Sequence, residues 1–186
     1  VTAADIDGDG LMNVLSASDD AFAWYEYDGE SGNFDKKVIF GGASGARSVF
    51  AIDIDSDSDM DVIGCDEDSV RWFENTGGGG SDWSIRVVGS VDAPRMVWAG
   101  DGDGDGDIDI VVASEGDGSI ELFSNDGDQE FTRTVVDDEA PGARAVYGAD
   151  VDGDGDIDLL AVSQDDSTVS LYTNEDATFS SSSKRV

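Results

Sequence analysis

Four acidic stretches recur along the chain at a nearly constant interval. They begin at Asp5, Asp53, Asp101 and Asp150, so that the repeat length is 48, 48 and 49 residues. In order, they read DIDGDGLMN, DIDSDSDMD, DGDGDGDID and DVDGDGDID, and they align without gaps. A repeat of this length indicates a recurring supersecondary unit. The hydrophobic face of each unit is buried by the neighbouring units.

The segments between the acidic stretches repeat as well. Each repeat contains four short apolar or alternating runs rich in Val, Ile, Phe, Tyr and Trp, bounded by Gly, Asp, Asn and Ser. Such runs predict strands, and no window shows the 3.6-residue period of a helix. Four strands per unit are typical of a propeller blade. We therefore predict an all-β protein, one β-propeller segment of four four-stranded blades at about residues 1–41, 42–89, 90–138 and 139–186.

The blade number of the complete ring stays open at this point. The chain could form a compact four-bladed ring, a half-ring completed by a second copy, or an excerpt of a longer chain. It begins at Val1, inside an expected inner strand, and carries no signal peptide, so we expect a processed or excised piece. Neither end resembles a cap, which favours the excerpt or the paired half-ring as part of a larger ring.

The charge balance restricts the classes of partner. The chain has 43 Asp and Glu against 10 Lys and Arg, a formal net charge of −33, yet 39% of its residues are hydrophobic. The acid therefore belongs to a folded body rather than to a disordered tail. This negative charge disfavours nucleic acid and anionic membrane surfaces as partners. No apolar run is long enough for membrane insertion. Histidine is absent, and the lone Cys65 is expected to be a buried thiol.

The acidic stretches have the composition of calcium loops. Aspartates at positions 1, 3 and 5 alternate with small residues, position 9 adds a further side-chain oxygen, and position 7 offers a backbone carbonyl. Oxygen-only donors of this density suit Ca²⁺, which takes six to eight of them. We predict about four calcium ions, one per repeat, held by Asp5, Asp7, Asp9, Leu11 and Asn13; by Asp53, Asp55, Asp57, Asp59 and Asp61; by Asp101, Asp103, Asp105, Asp107 and Asp109; and by Asp150, Asp152, Asp154, Asp156 and Asp158.

Other calcium loops do not fit this spacing. An EF-hand requires Glu at position 12 and flanking helices, whereas this chain has Ser16, Gly64, Val112 and Ala161 at that position. The remaining alternative is a set of solvated acidic turns without metal. It is disfavoured because so many carboxylates within nine residues repel one another strongly in the absence of a cation.

The pattern D-x-D-G-D-G-x-x-D, between a small-residue strand and a strand of the type VLSAS, resembles the FG-GAP/VCBS repeats of integrin-α-like propellers. The resemblance covers essentially the whole chain. It implies that each loop joins the first two strands of a blade and that calcium rigidifies the turn. The loops at Asp101 and Asp150 match fully, whereas Ser56 and Ser58 replace glycines in the second loop and Asn13 replaces the last aspartate of the first. Propellers of this family usually have seven blades and sometimes eight.

Three arginines share one register outside the loops. Arg47, Arg95 and Arg144 each lie six residues before the first aspartate of a loop. In a propeller this would place them around one end of the central channel, as a basic ring for a carboxylate, a sulfate or an acidic glycan. The alternative is that each arginine pairs with a neighbouring carboxylate.

Function is predicted from these features together. No nucleophile–base motif or phosphate cradle is present, and nearly every clustered aspartate belongs to a loop, so we predict a protein that is not an enzyme. We expect an extracellular or cell-surface adhesion or scaffold module with structural calcium, which binds a protein or glycan partner. The alternatives are a self-assembling subunit of an extracellular filament or matrix, whose partners are further copies of itself, and the accessory propeller of a polysaccharide-degrading enzyme.

Overall fold

The computed structural model describes residues 1–175 and 178–185. Within these ranges the regular secondary structure consists of strands alone, so the described chain contains no helix that could cross a membrane. The predicted all-β class is confirmed. The strands form four antiparallel sheets of four strands each, in which every strand pairs with its neighbours in chain order. Each sheet has the four strands that were predicted for a blade.

The strands follow the repeat closely. The first sheet contains β1 (Thr2–Ala4), β2 (Asn13–Ser18), β3 (Ala21–Asp28) and β4 (Asn33–Gly41). The second sheet contains β5 (Ser48–Ile52), β6 (Asp61–Cys65), β7 (Ser69–Asn75) and β8 (Trp83–Ser90). The third sheet contains β9 (Pro94–Gly100), β10 (Asp109–Ser114), β11 (Ser119–Asn125) and β12 (Phe131–Asp137). The fourth sheet contains β13 (Ala143–Ala149), β14 (Asp158–Ser163), β15 (Thr168–Glu175) and β16 (Thr178–Arg185).

The chain divides into two compact units of two sheets each, Val1–Ser90 and Val91–Val186. In the first unit the two sheets pack through aromatic side chains, with the rings of Phe22 and Phe73 4.9 Å apart. Gly64 permits this approach, because a Cβ atom there would lie 2.3 Å from the Phe22 ring. The Cys65 thiol is buried beside it, as predicted.

The second unit repeats this packing with a different aromatic residue. Trp98 of the third sheet lies against Gly148 of the fourth, where a Cβ atom would come within 2.4 Å of the indole. The indole also contacts Tyr147, with ring centroids 6.4 Å apart. In both units a glycine on one blade therefore makes room for a large ring on its neighbour. Each acidic stretch joins the first strand of its sheet to the second, and Ile6 of the first stretch is part of the core of the first unit.

Candidate metal centre

Aspartate side chains converge in all four acidic loops. In each loop, one carboxylate oxygen from each of three aspartates lies within 4.8 Å of the other two. The four groups are Asp5, Asp7 and Asp9; Asp53, Asp55 and Asp57; Asp101, Asp103 and Asp109; and Asp150, Asp152 and Asp158. The structure thus brings together the aspartates at positions 1 and 3 in every loop. The third aspartate of the group is at position 5 in the first two loops and at position 9 in the last two.

The carboxylate at position 5 also shapes the backbone of its loop. In every loop its Oδ1 accepts a hydrogen bond from the backbone N–H of position 7, at 2.8 or 2.9 Å. This is an Asx turn, which reverses the chain locally. The donors are Leu11, Asp59, Asp107 and Asp156. These four residues were predicted to offer backbone carbonyls to the metal, and that role stays a prediction.

Two further positions of each loop adopt the left-handed backbone conformation. Positions 4 and 6 have positive φ angles, for example +81° at Gly104 and +100° at Gly106. In the second loop the same positions are Ser56 and Ser58, with φ angles of +60° and +77°. Residues with a Cβ atom adopt this conformation at a cost, so the second loop carries backbone strain that the others avoid.

Position 9 is fully buried and holds its loop to the blade. The Asp109 carboxylate accepts hydrogen bonds from the backbone N–H groups of Gly102 (2.8 Å), Asp103 (3.0 Å) and Asn125 (2.8 Å). Asp61 and Asp158 make the equivalent bonds to position 2 of their loops and to the last part of the third strand. Position 9 therefore has an architectural role, because it connects the loop to the third strand of its blade.

Burial and mutual repulsion raise several pKa values in the loops. Burial raises the pKa of Asp61 and of Asp109 to about 6, in spite of the backbone N–H groups that donate to both. Partial burial, followed by repulsion from the aspartate two residues further on, also raises the pKa of Asp7, Asp55 and Asp103. Ionised carboxylates are thus costly here without a nearby positive charge.

The donor set of the loops fits a hard divalent cation. Asp5 Oδ1, Asp7 Oδ1 and Asp55 Oδ1 are buried and lack a hydrogen-bond partner among the described residues. Buried acceptors are normally satisfied, and oxygen atoms without a donor are what a cation would complete. Every converging side-chain donor is a carboxylate oxygen. Such hard ligands match Ca²⁺ rather than the softer transition metals.

The three arginines of the shared register lie beside acidic or amide side chains. Arg95 forms an ion pair with Glu115 of its own blade. Arg144 Nε donates to Gln164 Oε1 at 2.7 Å, and its Nη2 lies 3.7 Å from Glu115. The backbone N–H of Arg47 donates to the carbonyl of Cys65. For Arg95 and Arg144 the structure thus shows the pairing that is the alternative to a ligand-binding ring.

Sequence reasoning missed one set of residues in these loops. Asn75, Asn125 and Asn174 end or nearly end the third strand of their blades and are almost fully buried. Their backbone N–H groups are the ones that donate to the aspartate at position 9. The sequence pattern that could have identified them is the asparagine that ends each of the segments VRWFEN, IELFSN and VSLYTN.

The fold and its loops define the class of this protein as a β-propeller of acidic-loop repeats. A family model described as "FG-GAP-like repeat" matches residues 5–64, 53–112 and 101–161. The chain belongs to this family. A comparison with curated proteins gave no match.

A solved structure at low sequence identity resembles the chain in fold. The structure of a nidogen/laminin complex is similar with a TM-score of 0.60 at 15% identity, over 92% of this chain and 60% of that one. The chain thus spans about 60% of the length of its structural relative. A Tc holotoxin pore from Photorhabdus luminescens matches with a TM-score of 0.49 at 19% identity, over 100% of this chain and 9% of that one.

Proposed function

We propose that the chain is a calcium-binding β-propeller module of an extracellular or cell-surface adhesion or scaffold protein. In this proposal the calcium ions are structural, the partner is a protein or a glycan, and the module is not an enzyme. The observation that carries the proposal is the convergence of three aspartates in each of four loops. Millimolar external calcium would saturate even weak sites of this kind.

The electrostatics of the chain support a structural role for the metal. With a formal net charge of −33, the folded chain repels itself, and the loops concentrate that repulsion. A divalent cation in each loop would neutralise carboxylates whose pKa values are already raised. A protein partner is supported by the similar structure, which is that of a complex between nidogen and laminin.

Thermal unfolding with calcium and with excess chelator tests the proposal. A site stabilises the fold by about 2.7 kcal/mol when free calcium is about 100-fold above Kd. For a chain of this size, each kcal/mol shifts Tm by about 2–4 °C. We expect calcium to raise Tm by more than about 10 °C, and titration calorimetry to count about four ions. An unchanged Tm after chelation would falsify the proposal.

A matched pair of variants separates bound calcium from general charge screening. Replacing Asp by Asn at position 3 of all four loops should abolish the calcium-dependent rise in Tm; the positions are Asp7, Asp55, Asp103 and Asp152. The control removes the same number of charges from exposed aspartates outside the loops, namely Asp19, Asp68, Asp128 and Asp138. The control should keep the full response to calcium. Partner binding is then measured for both variants against matrix proteins and acidic glycans.

A second candidate function, self-assembly into an extracellular filament or matrix, is favoured by an exposed apolar surface on the fourth sheet. Its side chains are between 36% and 56% exposed: Tyr147, Leu160, Val162 and Val169. At the same positions of the third sheet the side chains are at most 7% exposed: Trp98, Val111, Ala113 and Ile120. The fourth sheet therefore leaves open a face that is covered in the third, and exposed apolar faces of this kind mark association sites.

The occupant that fits this face is the first sheet of a second copy. On the opposite face of the fourth sheet, Leu159 pairs with Tyr172, whose hydroxyl donates to Asp137 of the third sheet at 2.6 Å. In the first sheet the same cross-strand pair is Val14 and Tyr25. The face of the first sheet that carries Val14 and Tyr25 thus resembles the face of the fourth sheet that packs against the third sheet. We therefore expect this face of one copy to pack against the exposed face of the fourth sheet in another copy.

Solution mass across a range of concentrations tests the assembly. With calcium present, light scattering should show association that increases with concentration. Association should disappear in Leu160→Asp and persist in Val135→Asp, whose side chain is exposed on the outer strand of the third sheet. A monomer at every concentration excludes this second function and leaves the first intact.

A further inference from the structure

A buried asparagine joins neighbouring blades next to their acidic loops. Asn75 of the second sheet and Asn174 of the fourth are each at most 1% exposed. The Nδ2 group of Asn75 donates to the carbonyl of Ile6 at 3.0 Å and to that of Met60 at 3.3 Å. Ile6 is position 2 of the acidic loop of the preceding blade. One amide group therefore holds carbonyls of two different blades.

The same arrangement occurs independently in the second unit. The Nδ2 group of Asn174 donates to the carbonyl of Gly102 at 3.0 Å and to that of Ile157 at 3.2 Å. Gly102 is again position 2 of the loop in the preceding blade. Because the contact recurs at equivalent positions with near-identical distances, it is a property of the repeat and not of one site.

Further hydrogen bonds connect Asn75 to the acidic loop of its own blade. The backbone N–H of Asn75 donates to Asp61 Oδ1 at 2.8 Å, and Asp61 Oδ2 accepts from the N–H of Ile54 at 3.2 Å. Ile54 is position 2 of the second loop. Two loops that belong to different blades are thus linked by three hydrogen bonds through one asparagine and one aspartate.

The link acts on the peptide unit that precedes one of the converging aspartates of the first loop. The carbonyl of Ile6 belongs to the peptide plane that leads to Asp7, one of the three converging aspartates. A peptide unit is planar, so holding its carbonyl fixes the orientation of the following N–H and restricts the next residue. Since the bonds are buried, leaving the Ile6 carbonyl unsatisfied would be unfavourable. Asn75 therefore pre-positions Asp7 from the neighbouring blade.

We propose that Asn75 and Asn174 are positioning residues that couple the acidic loops of adjacent blades, so that ordering one loop favours metal binding in the other. The proposal rests on the calcium-binding function proposed above and adds cooperativity to it. Coupling between sites commonly changes affinity by about 5–150-fold. We expect about a tenfold effect within each unit.

A mutant cycle in the first unit tests the coupling. Asp55→Asn removes a converging aspartate from the second loop, and Asn75→Ala removes the link. Calorimetry then gives the calcium affinity of the first loop, and hydrogen exchange gives the protection of its backbone amides. With Asn75 present, Asp55→Asn should weaken the first loop about tenfold and lower its amide protection. In the Asn75→Ala background the same change should have no further effect.

The control for Asn75→Ala is Asn33→Ala, at the exposed start of β4 in the same unit. If Asn75 has a structural role alone, Asn75→Ala lowers stability but leaves the response of the first loop to Asp55→Asn unchanged. That result overturns the coupling, while the calcium function stands. If the chain with its native sequence binds no calcium, both proposals fail. Should Asn75→Ala not fold, an unchanged first loop in Asp55→Asn alone is sufficient to reject the coupling.

Discussion

The first acidic loop differs from the other three in how it is held. In the second, third and fourth loops, a buried aspartate at position 9 accepts N–H groups from the loop and from an asparagine at the end of the third strand. In the first loop, Asn13 accepts the N–H of Ile6 at 2.8 Å, and within the described part of the chain its Nδ2 group has no hydrogen-bond partner. The third strand of that blade has Tyr27 where its counterparts have asparagine.

This contrast shows that a loop can be held from within its blade or from the next one. The first loop lacks the internal aspartate–asparagine pair, yet Asn75 of the second blade holds its Ile6 carbonyl. The glycine-rich turn of the second blade adds a further contact, because the Trp24 indole N–H donates to the carbonyl of Gly80 at 3.0 Å. The first loop thus has the bond from the next blade without the internal pair, whereas the third loop has both.

The largest expected effect separates the two kinds of loop directly. Asp109→Ala leaves three backbone N–H groups without an acceptor and should lower the free energy of unfolding by roughly 3 kcal/mol. Asn13→Ala leaves one and should cost about 1 kcal/mol. Urea unfolding in excess chelator measures both without interference from bound metal. Asp128→Ala, at an exposed position of the same blade outside the loop, is the control and should change stability least. Equal losses for Asp109→Ala and Asn13→Ala would contradict the architectural role of position 9.

A smaller effect is expected from giving the first loop the residue that the others have. Asn13→Asp adds a carboxylate oxygen, so calorimetry should show calcium binding to this loop about tenfold more tightly, or about 1.4 kcal/mol. The same variant should be less stable in chelator, because the added charge lies among Asp5, Asp7 and Asp9. If affinity does not change, position 9 does not contribute to the metal site.

The smallest effect concerns backbone strain in the second loop. Replacing Ser56 and Ser58 by glycine removes the cost of two left-handed residues but increases the freedom of the unfolded chain. We expect a net gain of about 0.5–1 kcal/mol in the free energy of unfolding with calcium bound. The reverse substitution, Gly153→Ser, should destabilise the fourth loop by a similar amount. A loss of stability in the glycine variant would show that the serines contribute contacts that outweigh their strain.

Much of the fold followed from local sequence patterns. The runs MDVIGCD and IDIVVAS predicted the central strands β6 and β10, which are buried on both faces. The spacing of Asp101, Asp103 and Asp109 predicted their convergence, because a short turn brings alternate side chains together. The packing partners were not predictable in the same way. Nothing in the local sequence shows that Trp98 lies against Gly148, since that contact depends on how two blades stack.

The repeat, the strands and the composition of the loops follow from the sequence alone, because they depend on residues close together in the chain. Which side chain holds which loop depends on the tertiary structure. Asn75 meets Ile6 across 69 residues and Asn174 meets Gly102 across 72. Likewise, it paired Arg95 and Arg144 with one glutamate, Glu115. Such contacts are set by the stacking of one blade on the next, and a pattern that repeats identically within each blade carries no record of which atoms meet between blades.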